Sequence, residues 1–343
     1  MSMRWILLLN IIVFTTNCSA AKPLRVGVIN DLNSSFGSTT YISAVNKGIQ
    51  NLIQAKIDLV IAPGDFVAGQ DTRKRYSDLR FEEMWKSFEN NIHSKFKKSL
   101  IPFAPAPGNH DASKYIIREQ KFYKDYFLSN KPNLNFVSSE MYPFYYSFIK
   151  DGVFFIALDD TVTGKISLSK SPQGIDQRSW IKKQLNLNEA KEARARIVYG
   201  HIPLYSVLDE KKHPRKFKET LSLEQYQKGR IDTLEEILTE SNVSLAVFAH
   251  SHAFYPGHIK HKELKNDLHI LFSPCLGSGN RFVVNRTKNR SAQGYSIIEV
   301  NNDDKITYKT YTYSGELINS LNLPETIRQR KVTINRDDLY YKN

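Results

Sequence analysis

The chain has 343 residues, 41% hydrophobic and 24% charged, with a formal net charge of +13. That balance supplies a sizeable core and excludes an intrinsically disordered chain. Two cysteines exclude a disulfide-stapled scaffold, and the lack of any internal repeat, heptad or low-complexity run excludes solenoids and coiled coils.

In chain order, Arg4 is a short positive head, Trp5 to Phe14 an apolar run, and Cys18-Ser19-Ala20 a small-residue cleavage site. The pattern reads as a secretory signal over residues 1–20 and predicts an exported protein, periplasmic, secreted or extracellular. The run is shorter than the roughly 20 apolar residues that span a bilayer, and no later segment reads as a span. Cys18 also resembles the lipidated cysteine of bacterial lipoproteins. Thr15 and Asn17 fit that motif poorly, so a lipid anchor is the second reading. Loss of Arg4 would reduce the net charge from +13 to +12.

Next, "LRVGVIND" predicts a strand ending at Asp31, and "TYISAVNKGIQNLIQA" a helix with Ile42, Val45, Ile49, Leu52 and Ile53 on one stripe. "IDLVIAPGD" predicts a second strand ending at Asp65, which makes a βαβ unit with a parallel sheet. "FEEMWKSFENNIHSKF" reads as helix, "LIPFAPAPGNHD" as a strand ending at His110, and "KFYKDYF" as helix. "YPFYYSF" and "GVFFIALDD" form a hairpin whose aromatics pack on the sheet. "RSWIKKQL" is an amphipathic helix, "ARIVYGH" a strand ending at His201, and "RIDTLEEILTES" a helix. "VSLAVFAHSH" is a strand ending at His250 and His252. "LHILFSPCLGSGNR", "GYSIIEV" and "KITYKTYTYSGEL" are further strands, the last alternating as an edge strand does. One domain is expected over 21–320. A tail over 321–343, without a core pattern, is expected to wrap the surface or fray.

Five strands thus end in Asp31, Asp65, Asn109-His110, His201 and His250-Ser251-His252. In open α/β sheets ligands sit beyond the carboxyl ends of the strands, so these residues are expected to converge. Two carboxylates, an amide and four imidazoles without a thiolate suit divalent or trivalent Zn, Fe or Mn. A carboxylate such as Asp65 can bridge two cations, and two cations can clamp a phosphoryl group. His93, His213, His258, His261 and His269 fit no motif and are read as structural or surface, with His258 a substrate-side candidate.

The ordered set "NDLN", "PGD", "PGNHD", "YGH" and "AHSH" resembles the calcineurin-like metallophosphoesterase superfamily over about residues 24 to 313. The resemblance implies a four-layer αββα sandwich, two mixed β-sheets flanked by helices, and two metal ions. Asp31 and His252 would bind the first metal, Asp65 would bridge, and Asn109, His201 and His250 would bind the second. Attack by a hydroxide held between the metals is implied, with His110 as general acid and Asp111 orienting that ring or a ligand. The family usually carries His two residues after the first Asp, where this chain has Asn33, whose amide oxygen is a harder ligand. Ala249 replaces the usual Gly. Purple acid phosphatases place Tyr three residues after the bridging Asp, where this chain has Ala68.

The expected activity is metal-dependent phosphate-ester hydrolysis of a small-molecule substrate. Monoesters are preferred because the basic loop holding Lys211, Lys212, Arg215 and Lys216 follows the strand bearing His201 and could meet a dianion. The alternatives are a nuclease or cyclic-nucleotide phosphodiesterase, or a catalytically weak phosphate-binding envelope protein. The basic charge is scattered and no zinc-finger or RNP-type motif is present, so nucleic acid is not the favoured partner.

Overall fold

The computed structural model describes residues 23–73, 75–162, 176–221, 233–260, 266–285, 289–329 and 332–342. The signal and lipid-anchor readings and His261 lie outside them.

The first sheet is built around three parallel strands, β1 (Leu24–Val28), β2 (Leu59–Pro63) and β3 (Phe103–Ala106), buried on both faces. Two antiparallel strands extend it, β11 (Gly294–Val300) and β12 (Ile306–Thr312), giving the order β12-β11-β1-β2-β3. β12 sits at the edge, as its alternation predicts. The second sheet has the parallel core β6 (Val153–Ala157), β7 (Ala195–Gly200), β8 (Leu245–Phe248) and β10 (Leu268–Phe272). Antiparallel β4 (Asn135–Ser138), β5 (Tyr146–Lys150), β9 (Tyr255–Ile259), β13 (Thr326–Gln329) and β14 (Val332–Arg336) complete the order β13-β14-β9-β10-β8-β7-β6-β5-β4. β2 packs on β7 and β3 on β6, so the two sheets stack face to face. Helices line the outside: α1 (Ser43–Gln54) lies on β11 and α8 (Leu234–Glu240) on β10. This is the expected sandwich of two mixed sheets with helices outside.

The remaining helices are α2 (Asp78–Phe88), running through a π-helical turn at Glu89–His93 into α3 (Ser94–Lys98), then α4 (Ile117–Ser129), α5 (Gln177–Leu185), α6 (Asn188–Lys191) and α7 (Pro214–Phe217). In α1 the stripe is Val45, Ile49 and Leu52; Ile42 is the exposed residue preceding the helix. The aromatic hairpin packs as predicted, with Tyr145, Tyr146 and Phe148 buried. The stretch after Leu321 does not merely wrap the surface. Its hairpin adds two strands to the second sheet, and each buries one apolar side chain, Ile327 or Ile334.

Because β1, β2, β3, β7, β8 and β10 run parallel within their sheets, the loops after them gather at one edge of the sandwich. That edge carries the motif residues.

Candidate metal centre

The loops after β1 and β2 are laced together by backbone hydrogen bonds. Asp31 N–H donates to Gly64 O (3.0 Å), Leu32 N–H to Asp65 O (2.8 Å) and Asn33 N–H to Asp65 O (3.3 Å). The loop after β3 touches the same place. A Cβ on Gly108 would lie 2.1 Å from Asp65 N, so glycine is required there for close approach rather than to form a turn. Four motif residues, Asp31, Asp65, His250 and His252, have φ between 48° and 62°, in the left-handed region. Such backbone costs on the order of 1–3 kcal/mol per residue and persists only where the surroundings enforce it.

Two sets of ligand atoms result. In one, Asp31 Oδ1 lies 3.0 Å from His252 Nε2. In the other, His201 Nε2 lies 3.0 Å from Asn109 Oδ1 and 3.1 Å from His250 Nδ1. Asp65 Oδ2 is 3.5 Å from His201 Nε2, and ligand atoms of Asp31, Asp65 and His201 all fall within 4.8 Å of one another. The structure thus brings together Asp31, Asp65, Asn109, His201, His250 and His252.

The protons of the three histidines are fixed from behind. His201 Nδ1 is 2.8 Å from Pro63 O and His252 Nδ1 is 2.8 Å from Gly279 O. Carbonyl oxygens only accept, so both Nδ1 atoms carry the proton and both Nε2 atoms offer lone pairs to the centre. His250 Nε2 lies 2.7 Å from Glu219 Oε2. That carboxylate is held well below its usual range: burial raises it, but His250 and Lys216 outweigh burial. It accepts a hydrogen bond from the His250 Nε2–H and so leaves Nδ1 bare, while burial and Lys216 keep that imidazole neutral. His201 Nε2, His250 Nδ1 and Asn109 Oδ1 therefore meet with no hydrogen between them. Asp31 Oδ1 is buried and faces His252 Nε2, which the Nδ1 bond to Gly279 O leaves without a proton in the neutral ring. Converging lone pairs without donors are stable only around cations, so the residues present fit a metal pair.

His110 stands beside the centre. Its Nδ1 is 3.2 Å from Gly69 O, its Nε2 is 3.8 Å from Asp65 Oδ2, and its backbone N–H donates to Asp65 Oδ1 (2.9 Å). Burial lowers its pKa, and the Asp65 charge opposes that.

Three expectations change. Asp111 does not orient the His110 ring. Its carboxylate accepts the backbone N–H groups of Asp65 (2.6 Å), Phe66 (2.7 Å), Val67 (2.9 Å) and Gly108 (3.1 Å), and so fixes the loops carrying Asp65 and Asn109. Asn33 is buried beside the centre, but its amide oxygen accepts the Ser278 hydroxyl and ties the loop after β1 to the loop after β10. In the basic loop, Lys216 Nζ lies 2.6 Å from Glu219 Oε2 and Arg215 Nε 3.3 Å from Oε1, so both cations face a carboxylate. Lys212 stacks on Phe282, with Nζ 3.6 Å from the ring centroid, and Lys211 is exposed. Ala68, at the purple-phosphatase tyrosine position, is buried, and its carbonyl accepts the Gly37 N–H.

Of the other histidines, His93 bonds Tyr126 and His269 bonds Asp337. His213 accepts the Phe282 N–H. His258 lies across the strand pair from His269 and lines neither cleft beside the centre. Sequence reasoning missed Glu219. Its spacing after Arg215 and Lys216 signals the ion pairs, but nothing in the sequence signals the contact with His250.

Two clefts flank the centre. One, of about 440 Å³, is lined by Asn33, Phe36, His110, His252 and Arg281. The other, of about 350 Å³, holds Asn109, Lys114, Tyr115, Arg215, Lys216 and Lys218.

Carboxylate, amide and imidazole side chains thus converge on loops at one edge of two stacked mixed sheets, a donor set that suits a metal centre. The chain belongs to the calcineurin-like phosphoesterase family, which it matches over residues 24–254. Its fold is similar to that of the purple acid phosphatase PPD1 from yellow lupin (Lupinus luteus) seeds, with a TM-score of 0.59 and 17% identity over 87% of this chain and 53% of that one. The chain thus spans about half the length of the lupin protein. PhoD aligns with a TM-score of 0.55 and 11% identity over 87% of this chain and 72% of that one. GAP50, the anchor in the inner membrane complex of Plasmodium, aligns with a TM-score of 0.51 and 16% identity over 93% and 91%. At these identities the likeness concerns the fold alone. None of the curated proteins compared with the chain matches it. Among the described residues, no helix is long and apolar enough to cross a membrane.

Proposed function

We propose that the protein is an exported phosphate monoesterase that works with two metal ions drawn from Mn, Fe or Zn. The observation that carries this reading is the set of six ligand side chains whose lone pairs converge, with three imidazole protons held away from the centre. Asp31 and His252 would hold one ion, Asn109, His201 and His250 the other, and Asp65 both. When bound, the pair would supply a nucleophile at neutral pH and offset charge on the phosphoryl oxygens. The chain does the rest. Asp111 fixes the loop that aims Asp65. His110, anchored through Nδ1 to Gly69 O, turns Nε2 toward Asp65, and as imidazolium it would give the Nε2 proton to a leaving oxygen. Lys114 and Lys218 in the smaller cleft provide positive charge for a dianion.

Metal analysis of the purified protein, followed by a phosphoester panel with and without chelator, tests this. About two ions per chain and chelator-sensitive release of phosphate are expected. A metal-reconstituted protein that hydrolyses no phosphate ester would leave it a binding protein.

A further inference from the structure

The two clefts differ in one respect that bears on substrate choice. His110 lines the 440 Å³ cleft and not the other. The group that receives the His110 proton therefore departs into the larger cleft. Its wall carries Phe36, an aromatic side chain left 55% exposed, with its ring centroid 5.2 Å from that of His110 and the planes tilted by 31°.

An exposed aromatic on a loop is common, but the backbone that carries this one is tethered. Gly37 N–H donates to Ala68 O (2.7 Å), Arg80 Nε donates to Gly37 O (2.8 Å), and Ser38 N–H closes the turn on Ser35 O (3.0 Å). The same cleft carries Arg281, from the loop after β10. Its Nη1 donates to His250 O (2.6 Å) and its backbone N–H to His252 O (3.1 Å). A ring carried on one tethered loop and a planar cation anchored on another both stack on flat aromatic groups. Gly279 leaves the cleft open, since a Cβ there would meet nothing within 4 Å.

Building on the phosphoesterase reading, we infer that this cleft is a leaving-group subsite for an aromatic alcohol, so that the substrate class is the aryl phosphate monoester. Phe36 lies close enough to His110 to touch a ring bonded directly to the ester oxygen. In the reaction an oxygen of water bonds to phosphorus and the P–O(aryl) bond breaks with its electron pair on the leaving oxygen. His110 in its imidazolium form passes its Nε2 proton to that oxygen, and the proton given up by the attacking water restores the imidazolium, leaving inorganic phosphate and a phenol.

Phe36→Ala and Phe36→Tyr test the assignment, with phenyl phosphate and glycerol 2-phosphate as substrates of the metal-loaded enzyme. Phe36 is exposed, so both variants should fold. In Phe36→Ala, kcat/KM for phenyl phosphate should fall about tenfold while that for glycerol 2-phosphate stays within about twofold, and Phe36→Tyr should restore the aryl rate. Equal losses on both esters, or no loss on either, would overturn the subsite. Saturation-transfer NMR with phenol reads the subsite without turnover. Phenol should receive saturation from wild type and Phe36→Tyr but not from Phe36→Ala, and equal transfer from all three overturns it. Absence of turnover with phenol transfer intact would count against the phosphoesterase reading and leave the aromatic subsite standing.

Discussion

Asp111→Asn separates a scaffold role from a catalytic one. Each Asp111 oxygen accepts two backbone N–H groups: Oδ1 those of Phe66 and Val67, Oδ2 those of Asp65 and Gly108. Asparagine keeps one acceptor oxygen and turns an NH₂ toward the other pair of donors. Two hydrogen bonds to a buried carboxylate are lost, each worth roughly 1.5–3 kcal/mol. The sum, about 3–6 kcal/mol, is a large part of the roughly 5–15 kcal/mol that holds a domain folded. Either lost pair lies on the loop segment from Asp65 to Val67 or joins it to Gly108, so the Asp65 side chain loses part of its aim as well. Urea unfolding of the metal-free variant should therefore show a lower midpoint at unchanged slope, and metal titration should show weaker binding. If Asp111 instead served only to orient His110, stability and metal content would survive and only turnover of esters with poor leaving groups would fall. An unchanged urea midpoint together with full metal stoichiometry would refute the scaffold argument.

His110→Ala should retain both metals yet lose about 10²–10⁴-fold in turnover, most for alkyl esters whose leaving oxygen needs a proton; equal losses for alkyl and nitrophenyl esters would count against the assignment. Glu219→Ala should weaken metal binding by roughly 10–100-fold in calorimetric titration, because His250 is then free to carry its proton on Nδ1, and Glu219→Gln should recover part of that loss. The ¹⁵N shifts of the His250 ring in metal-free protein should change tautomer in the alanine variant, which a purely structural role would not require. Asn33→His should tighten the site formed by Asp31, Asp65 and His252 and shift it from Mn toward Zn or Fe. The native protein should be isolated colourless and short of one metal, and a purple protein with full metal content would contradict this. Burial pushes the Glu119 carboxyl from 4.5 up to about 7. The folded state then holds a proton that the unfolded chain releases near 4.5, so this contribution is full below 4.5 and is lost as pH rises through 7. Glu119→Gln should flatten stability across that window by at most roughly 3 kcal/mol, measured by urea unfolding at several pH values.

The convergence of the candidate ligands is legible because a parallel strand writes its own address. An apolar run of four to six residues must end where its neighbours end, so the run alone places the polar residue just beyond it. The strands missed by that reading lack such a run. β9 contains Pro256 and Gly257, which argue against a strand, and β13 and β14 each bury a single aliphatic side chain. Asp111 reads as chemistry because it follows His110, while its partners are backbone N–H groups that no sequence displays. The partners that fix the imidazole protons are equally silent: Pro63 and Gly279 act through carbonyls, and Glu219 lies 31 residues from His250.

The least legible feature is backbone strain. Asp and His, which with Asn enter this region more often than other side chains, occupy left-handed φ at Asp31, Asp65, His250 and His252, where glycine carries no steric penalty. Glycine would relieve the strain and remove the ligand, so the side chain must be what the fold retains. The strain is confined by the cross-loop bonds from Asp31 to Gly64, from Leu32 and Asn33 to Asp65, and from the His250 N–H to Asp31 Oδ2 (3.2 Å). Asp31, Asp65 and His250 are thus each held by a loop that carries another of the four, while His252 is held by the loop after β10 through Gly279 O and the Arg281 N–H. Cooperative support of this kind predicts that loosening one loop moves ligands on both metal sites, whereas ligands on relaxed, independent turns would fail one site at a time.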